Sequence, residues 1–267
     1  MKQQSPTRRD GSVKHAPHLG GIIIRFDSVS STNDVAKKLA EQGTPEGTIV
    51  LAATQKHGRG RGNKTWFSPV GGLWFSLVLR PEVTMSTISL LPLAAGVAVA
   101  TTIRRLFRIR AMLKWPNDVT INERKVAGVL AETTTEGSNC HAIMGFGINV
   151  NNSVGSMTVE LASEATSILD ELKSNVNVDW LMREILNDFS AIYARILACD
   201  SSHVIAEWKR LSDMLKMSII VKEEKISYRA EVVDLDSDGA LVIQAQDGTI
   251  RRLLSGDVSV REIRSRT

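Results

Sequence analysis

Between Gln55 and Trp66 the chain reads Gln-Lys-His-Gly-Arg-Gly-Arg-Gly-Asn-Lys-Thr-Trp, so Gly58, Gly60 and Gly62 alternate with Arg59 and Arg61. Lys64 and Trp66 close the stretch. Glycine has no Cβ, so its backbone amides can approach a ligand closely and its φ can turn positive without steric cost. Arginine presents a planar fork that fits carboxylate and phosphate oxygens in pairs. The chemistry implied is an anionic group held against the main chain. A solvated basic loop or an RNA-binding segment has the same composition, and this stretch alone leaves both readings open.

Four other stretches carry polar residues in constrained settings. Lys114-Trp115-Pro116-Asn117-Asp118 sets a cation, an aromatic ring, an amide and a carboxylate around a proline that fixes φ and biases Trp115 away from the helical region. The plain alternative is a strand ending in a Pro-Asn-Asp turn. Lys125 stands at the mouth of an apolar strand, with Ala127 and Gly128 leaving room beside it for a ligand. Such an ammonium can neutralise a carboxylate and the charge that develops as it attacks a phosphate, or simply extend into solvent from a strand end. Gly145-Phe-Gly147-Ile-Asn149-Val-Asn151 is a glycine-spaced strand, which elsewhere marks a bulge or close packing. Ser31-Thr32-Asn33 is a helix cap first and a ligand contact second.

The elements that position these residues follow from periodicity. Ile22 to Phe26, Thr48 to Thr54 and Leu73 to Leu79 read as strands, with a helix from about Ser31 to Gly43 between the first two. Val83 to Ile103 carries no charge over 21 positions, enough to span a bilayer. Six Ser or Thr, Pro92 and Gly96 interrupt it, so one buried helix against a sheet is expected instead. Ala111 to Lys114, Val119 to Ile121, Val126 to Thr133 and His141 to Val150 read as further strands. Asn122-Glu123-Arg124 is short enough for a hairpin turn, making part of the sheet antiparallel. Ser163 to Leu172, Asp179 to Ala198 and Ser202 to Leu215 read as amphipathic helices. After Leu215, five short strands (Ser218–Val221, Tyr228–Asp234, Ala240–Gln244, Thr249–Leu254, Val258–Arg261) separated by Asp238-Gly239 and Asp247-Gly248 predict a small barrel. The expected division is a basic disordered tail over 1–20, a ligand-binding domain over 21–214 and the barrel over 215–267.

Composition narrows the class. A chain of 267 residues, 43% hydrophobic and 23% charged, is that of a globular protein with an ample core. A net charge of +4 allows an anionic ligand without requiring nucleic acid. Two cysteines, Cys140 and Cys199, and five scattered histidines give neither a disulfide framework nor a metal motif, so no protein-ligated metal is expected. The N-terminus has no apolar signal segment, and the expected compartment is the cytoplasm.

Taken in order, Ser-Thr-Asn before a helix, Gln-x-x-Gly-Arg-Gly-Arg with Trp-Phe-Ser-Pro, Lys-Trp-Pro-Asn-Asp, Lys-Val-Ala-Gly-Val-Leu and Gly-Phe-Gly-Ile-Asn-Val-Asn resemble the biotin protein ligases. The resemblance runs from about residue 22 to 265 and includes the terminal module through Gly239-Ala240-Leu241 and Ser255-Gly256-Asp257. It implies an α+β fold: a class II synthetase-like catalytic domain with a mixed, largely antiparallel central sheet and flanking helices, followed by a small C-terminal SH3-like barrel. It implies ATP and biotin as substrates, Mg²⁺ on the triphosphate, biotinyl-5′-AMP as intermediate and a biotin carboxyl carrier protein as acceptor. A homodimer is expected, without the N-terminal DNA-binding domain of bifunctional members. A lipoate or octanoate ligase of the same superfamily, and a Gly/Arg nucleic-acid-binding module, are the alternatives.

The resemblance also assigns residues. Ser31, Thr32, Asn33, Gln55, Gly58, Arg59, Gly60, Arg61, Lys125, Gly128 and Leu130 would face biotin. Arg59, Arg61, Lys64, Trp66, Asn117, Lys125 and Asn149 would face ATP. Lys125, Arg59, Arg61 and Asp118 would act in the chemistry, the first three on developing negative charge and Asp118 on the acceptor amine. This chain departs from the family where the loop often continues Arg-Arg-Gly-Arg-Lys-Trp. Here it reads Arg61-Gly62-Asn63-Lys64-Thr65-Trp66, and Lys64 replaces a fork with a point charge.

Overall fold

A computed structural model describes residues 19–62, 64–82, 84–136, 139–154, 163–222, 226–254 and 259–262. The basic tail, apart from Leu19 and Gly20, lies outside the described residues, as do Asn63 and Ser255-Gly256-Asp257. In chain order the first half runs β1 (Ile23–Val29), α1 (Thr32–Glu41), β2 (Ile49–Gln55), β3 (Leu73–Leu79), α2 (Met85–Ile88), α3 (Leu91–Phe107), β4 (Ala111–Lys114), β5 (Asp118–Ile121), β6 (Arg124–Glu136) and β7 (Asn139–Ile148). Then come α4 (Ile168–Leu172), α5 (Val178–Leu197), α6 (Ser202–Arg210), β8 (Ser218–Lys222), β9 (Ser227–Leu235), β10 (Leu241–Ala245), β11 (Ile250–Leu253) and β12 (Ser259–Glu262).

Strands one to seven form one sheet in the order β1-β2-β3-β7-β6-β5-β4, and the last five form a second in the order β11-β10-β9-β8-β12. In the larger sheet β1 and β2 pair in parallel, joined through α1, and the other pairs are antiparallel. The β5–β6 hairpin turns on Asn122 and Glu123 at φ 49° and 64°, the left-handed pair that a two-residue connection with matching twist demands.

The two faces of the sheet are covered unequally. Leu73, Phe75, Leu77 and Leu79 of β3 lie in the same core cluster as α3, whose Leu91, Ala94, Ala95, Ala98 and Val99 are fully buried. A helix apolar all round must be covered all round, and α5 covers its outer side, with Thr102 donating to Asp188 at 2.6 Å. On the other face the short helix α1 brings Ala36 and Ala40, flanked by the partly buried Val35 and Leu39, down onto Val50, Val78 and Ile143. That leaves the rest of this face for the site.

Three helix expectations shift. The uncharged stretch is two helices, because Pro92 has no N–H to donate and sits in the first turn of α3 rather than inside a longer helix. The helix expected from Ser163 is interrupted: Ser163 and Glu164 are helical, Ala165 bridges Lys125, the Thr166 amide donates to Lys125 O, and the Ser167 side chain caps a new helix at Ile168. The helix expected to reach Leu215 ends at Arg210. Among the described residues no helix is long and apolar enough to cross a membrane.

The small sheet docks against the Lys114–Asp118 turn. Trp115, 2% exposed, donates from Nε1 to the Gly239 carbonyl at 3.1 Å, and Ser89 donates to the Asp238 carbonyl at 2.8 Å. Gly239, at φ +85°, packs on Leu90 and Leu93 of the α3 head. Trp115→Phe keeps an aromatic ring but removes the pyrrole half with its N–H, leaving a small void and orphaning a buried carbonyl; the orphaned carbonyl alone costs about 1–3 kcal/mol. Calorimetry should show a Tm several degrees lower; an unchanged Tm would mean this bond does not hold the modules together.

Candidate active site

The open sheet face is floored by backbone. Gly147 pairs with Gly128 of β6 and with Trp74 of β3, and Gly145 pairs with Leu130 and Ser76. The Trp66 indole lies directly on the Gly147–Gly128 pair: a Cβ at Gly147 would stand 2.6 Å from its ring, and one at Gly128 3.0 Å. A Cβ at Gly145 would strike the Asn33 side-chain amide. These glycines serve close approach, which no other residue permits there.

At one end of this floor neutral polar groups converge beneath the start of α1. Ser31, Thr32 and Asn33 are each no more than 3% exposed. Gln55 Oε1 accepts from the Thr32 amide at 2.8 Å and its hydroxyl at 3.1 Å, and Gln55 Nε2 donates to Ser68 at 2.8 Å. Ser76 Oγ lies 2.7 Å from Thr32 Oγ1 and 2.6 Å from Asn33 Oδ1. Ser31 itself makes no side-chain cap to α1. Hydroxyls and carboxamides can each donate or accept, so such a cluster can match a neutral ligand head that does both.

At the other end stand the cations. Lys125 Nζ is 2.6 Å from Asp118 Oδ1 and 4.9 Å from the Trp66 ring centroid, with the lysine side chain about a third exposed. Asn117 ties the turn to β6, its Nδ2 donating to Val129 O at 2.5 Å while its carbonyl accepts from the Val129 amide. Beside it a hollow of about 190 Å³ is lined by Arg61, Gly62, Pro116, Asn117 and Leu130 among others.

The Gly/Arg stretch is a small hairpin. The Trp66 amide donates to Gly58 O at 2.8 Å and the Gly60 amide to Lys64 O at 2.7 Å, with Gly62 at φ +62° in the turn. Gly58 allows the crossing, since a Cβ there would run into Trp66 O and Ser68. The hairpin base therefore covers the glycine floor while its tip reaches the Asn117 hollow.

Two placements differ from expectation. Arg59 does not point at the cation end: Nη1 grips Asp34 at 2.6 Å and Nη2 grips both oxygens of Glu132 at 2.8 and 3.0 Å. Two carboxylates within reach outbid a more distant position for a fork of this shape. Asn149 is 4% exposed and its amide is engaged internally, donating to Thr166 O at 3.0 Å and accepting from Asn152 at 3.1 Å. These bonds tie the 149–152 turn to Thr166. Lys64 is exposed on the hairpin. Ser76, Ser68, Asp34 and Glu132 escaped the sequence reading. Ser76 did leave a signal, as the lone polar residue in the apolar strand Leu73–Leu79.

Residues 25–149 match the Biotin/lipoate A/B protein ligase family, and residues 219–261 match the Biotin protein ligase C terminal domain. The chain is 31% identical over 244 residues to the bifunctional ligase/repressor BirA of Bacillus spizizenii, covering 91% of this chain and 75% of that protein. It is 28% identical to the biotin–[acetyl-CoA-carboxylase] ligase of Paracoccus denitrificans, across 85% of this chain and 95% of that one. Among solved structures, the biotin protein ligase of Aquifex aeolicus in complex with biotin and ATP superposes with a TM-score of 0.80 at 28% identity, over 91% of this chain and all of that one.

Proposed function

The chain belongs to the biotin/lipoate protein ligase family, and from that premise we propose that it activates biotin with ATP and transfers it to one lysine of a biotin carboxyl carrier protein. The observation that carries this reading is the polarity of the glycine floor: neutral donors and acceptors at one end, lysine and arginine at the other. Biotin has a neutral ureido ring at one end and a carboxylate at the other. Ser31, Thr32, Asn33 and Gln55 would take the ring, with Gly58, Gly60, Gly128 and Leu130 along the chain.

In the first step a biotin carboxylate oxygen attacks the α-phosphorus and the bond to pyrophosphate breaks, giving biotinyl-5′-AMP. Both reactants are anionic, so the step needs cations fixed where charge develops. Lys125 and Arg61 fill that role; Arg59 holds the hairpin through Asp34 and Glu132. Trp66 walls the nucleotide side, and Lys64 and Asn117 lie on the approach of the phosphates. Magnesium belongs to the nucleotide substrate, where phosphates and water are its usual ligands.

In the second step the carrier amine attacks the biotinyl carbonyl, AMP leaves, and the amine gives up a proton. Asp118 is the acceptor. Its carboxylate is paired with Lys125, and Lys125 is drawn toward phosphate once the adenylate forms.

The test is biotin-dependent ATP–pyrophosphate exchange followed by transfer to a carrier domain, with lipoate as the competing acid. Exchange driven by lipoate and not biotin would overturn the reading. Arg61→Gly should loosen the hairpin tip and shorten retention of the adenylate. Biotin should then label lysines outside the carrier, read as streptavidin signal on bystander protein; a clean bystander would refute that role.

A further inference from the structure

We propose that Glu132 is a positioning residue joining the Gly/Arg hairpin to the polar pocket under α1; the catalytic consequence rests on the ligase reading above. Its Oε2 accepts from Asn33 Nδ2 at 2.6 Å and from Arg59 Nη2 at 2.8 Å, while Oε1 takes a second bond from the same Arg59 nitrogen at 3.0 Å. Glu132 comes from β6, Asn33 from α1 and Arg59 from the hairpin, so one carboxylate ties three elements together.

The chemistry of the carboxylate sets the direction of the network. An ionised glutamate only accepts. Asn33 must therefore turn its NH₂ toward Glu132 and its carbonyl toward Ser76, which fixes the amide orientation beside Thr32 and Gln55. The same charge pins Arg59, and Arg59 anchors the outgoing strand of the hairpin through its bridge to Thr65. A glutamine at 132 has nearly the same shape but offers an NH₂ as readily as an oxygen. It would release the orientation of Asn33 and the paired grip on Arg59 together.

Two measurements test this. In Glu132→Gln, the Gly60 and Trp66 amides should exchange with deuterium about tenfold faster than in the unaltered protein, while core amides of β3 keep their protection. Unchanged hairpin exchange overturns the proposal, and this readout needs no turnover. In ATP–pyrophosphate exchange, the KM for biotin should rise about tenfold with kcat within about twofold. Arg59→Met should raise KM similarly, and the double variant no further than either single one, because both break one linkage. Additive effects would mean that Glu132 does not act through Arg59. If the unaltered protein shows no biotin-dependent exchange, the ligase reading fails while the hairpin measurement still decides the positioning role.

Discussion

Lys125→Ala is expected to lower biotin-dependent ATP–pyrophosphate exchange by at least about 10²–10³-fold, the loss typical of removing one preorganised group from a developing charge. Two features of the site push the effect toward the larger figure. The ammonium is also the ion-pair partner of Asp118 at 2.6 Å. Without it, that carboxylate faces an incoming biotin carboxylate and an α-phosphate unshielded, and like charges at such range disfavour one another. Lys125 also lies against the Trp66 ring, where cation–π attraction keeps the indole on the floor. The deficit should therefore divide into two parts. Asp118→Asn in the Lys125→Ala background should recover some of the exchange by removing the repulsion, yet leave transfer to the carrier impaired. Normal exchange in Lys125→Ala would remove this lysine from the chemistry. A double variant no better than the single one would show that the lost charge stabilisation acts alone.

Local rules carried much of the architecture. The β5–β6 turn was legible because Asn122-Glu123-Arg124 is too short a link between apolar runs for anything but a hairpin, and Asn122 tolerates the positive φ the turn needs. Strands such as Leu73–Leu79 and the terminal five followed from their patterning. What failed was decided by partners far away in sequence. Ser163 and Glu164 are helical, but Ala165 and Thr166 are drawn onto Lys125, and helix resumes only after Ser167 supplies a cap. In the site, Lys125, Gln55, Thr32 and Gly128 were marked by their motifs and by the family resemblance those motifs carry. The destination of Arg59 was not, because Glu132 lies at the far end of β6 and nothing in either neighbourhood marks the pair. The hairpin form of the Gly/Arg stretch was hidden for another reason. Its pairing uses main-chain groups of Gly58, Gly60, Lys64 and Trp66, which leave no trace in side-chain pattern.

Gly147→Val tests whether the glycine floor is functional or only a feature of the strand. The added Cβ would stand 2.6 Å from the Trp66 indole, so the ring must lift and carry the hairpin base with it. A displacement near an ångström at reacting groups costs on the order of 10²-fold in rate, and exchange should fall by about that much. Stability should fall far less than in an overpacked core, because the nearest neighbour is a ring on a surface hairpin; overpacking a core costs about 1–3 kcal/mol. Gly96→Ala is the matching control. Gly96 is buried in α3, where a Cβ would meet Leu113 Cδ2 at 3.4 Å, an ordinary contact. Alanine there should raise stability by about 0.5–1 kcal/mol through helix propensity and leave exchange unchanged. The two variants separate the meanings of glycine in one molecule: activity lost with the fold kept at 147, stability gained with activity kept at 96. Full activity in Gly147→Val would show that the indole need not lie on the floor during turnover, and the roof of the site would then have to be sought elsewhere on the hairpin.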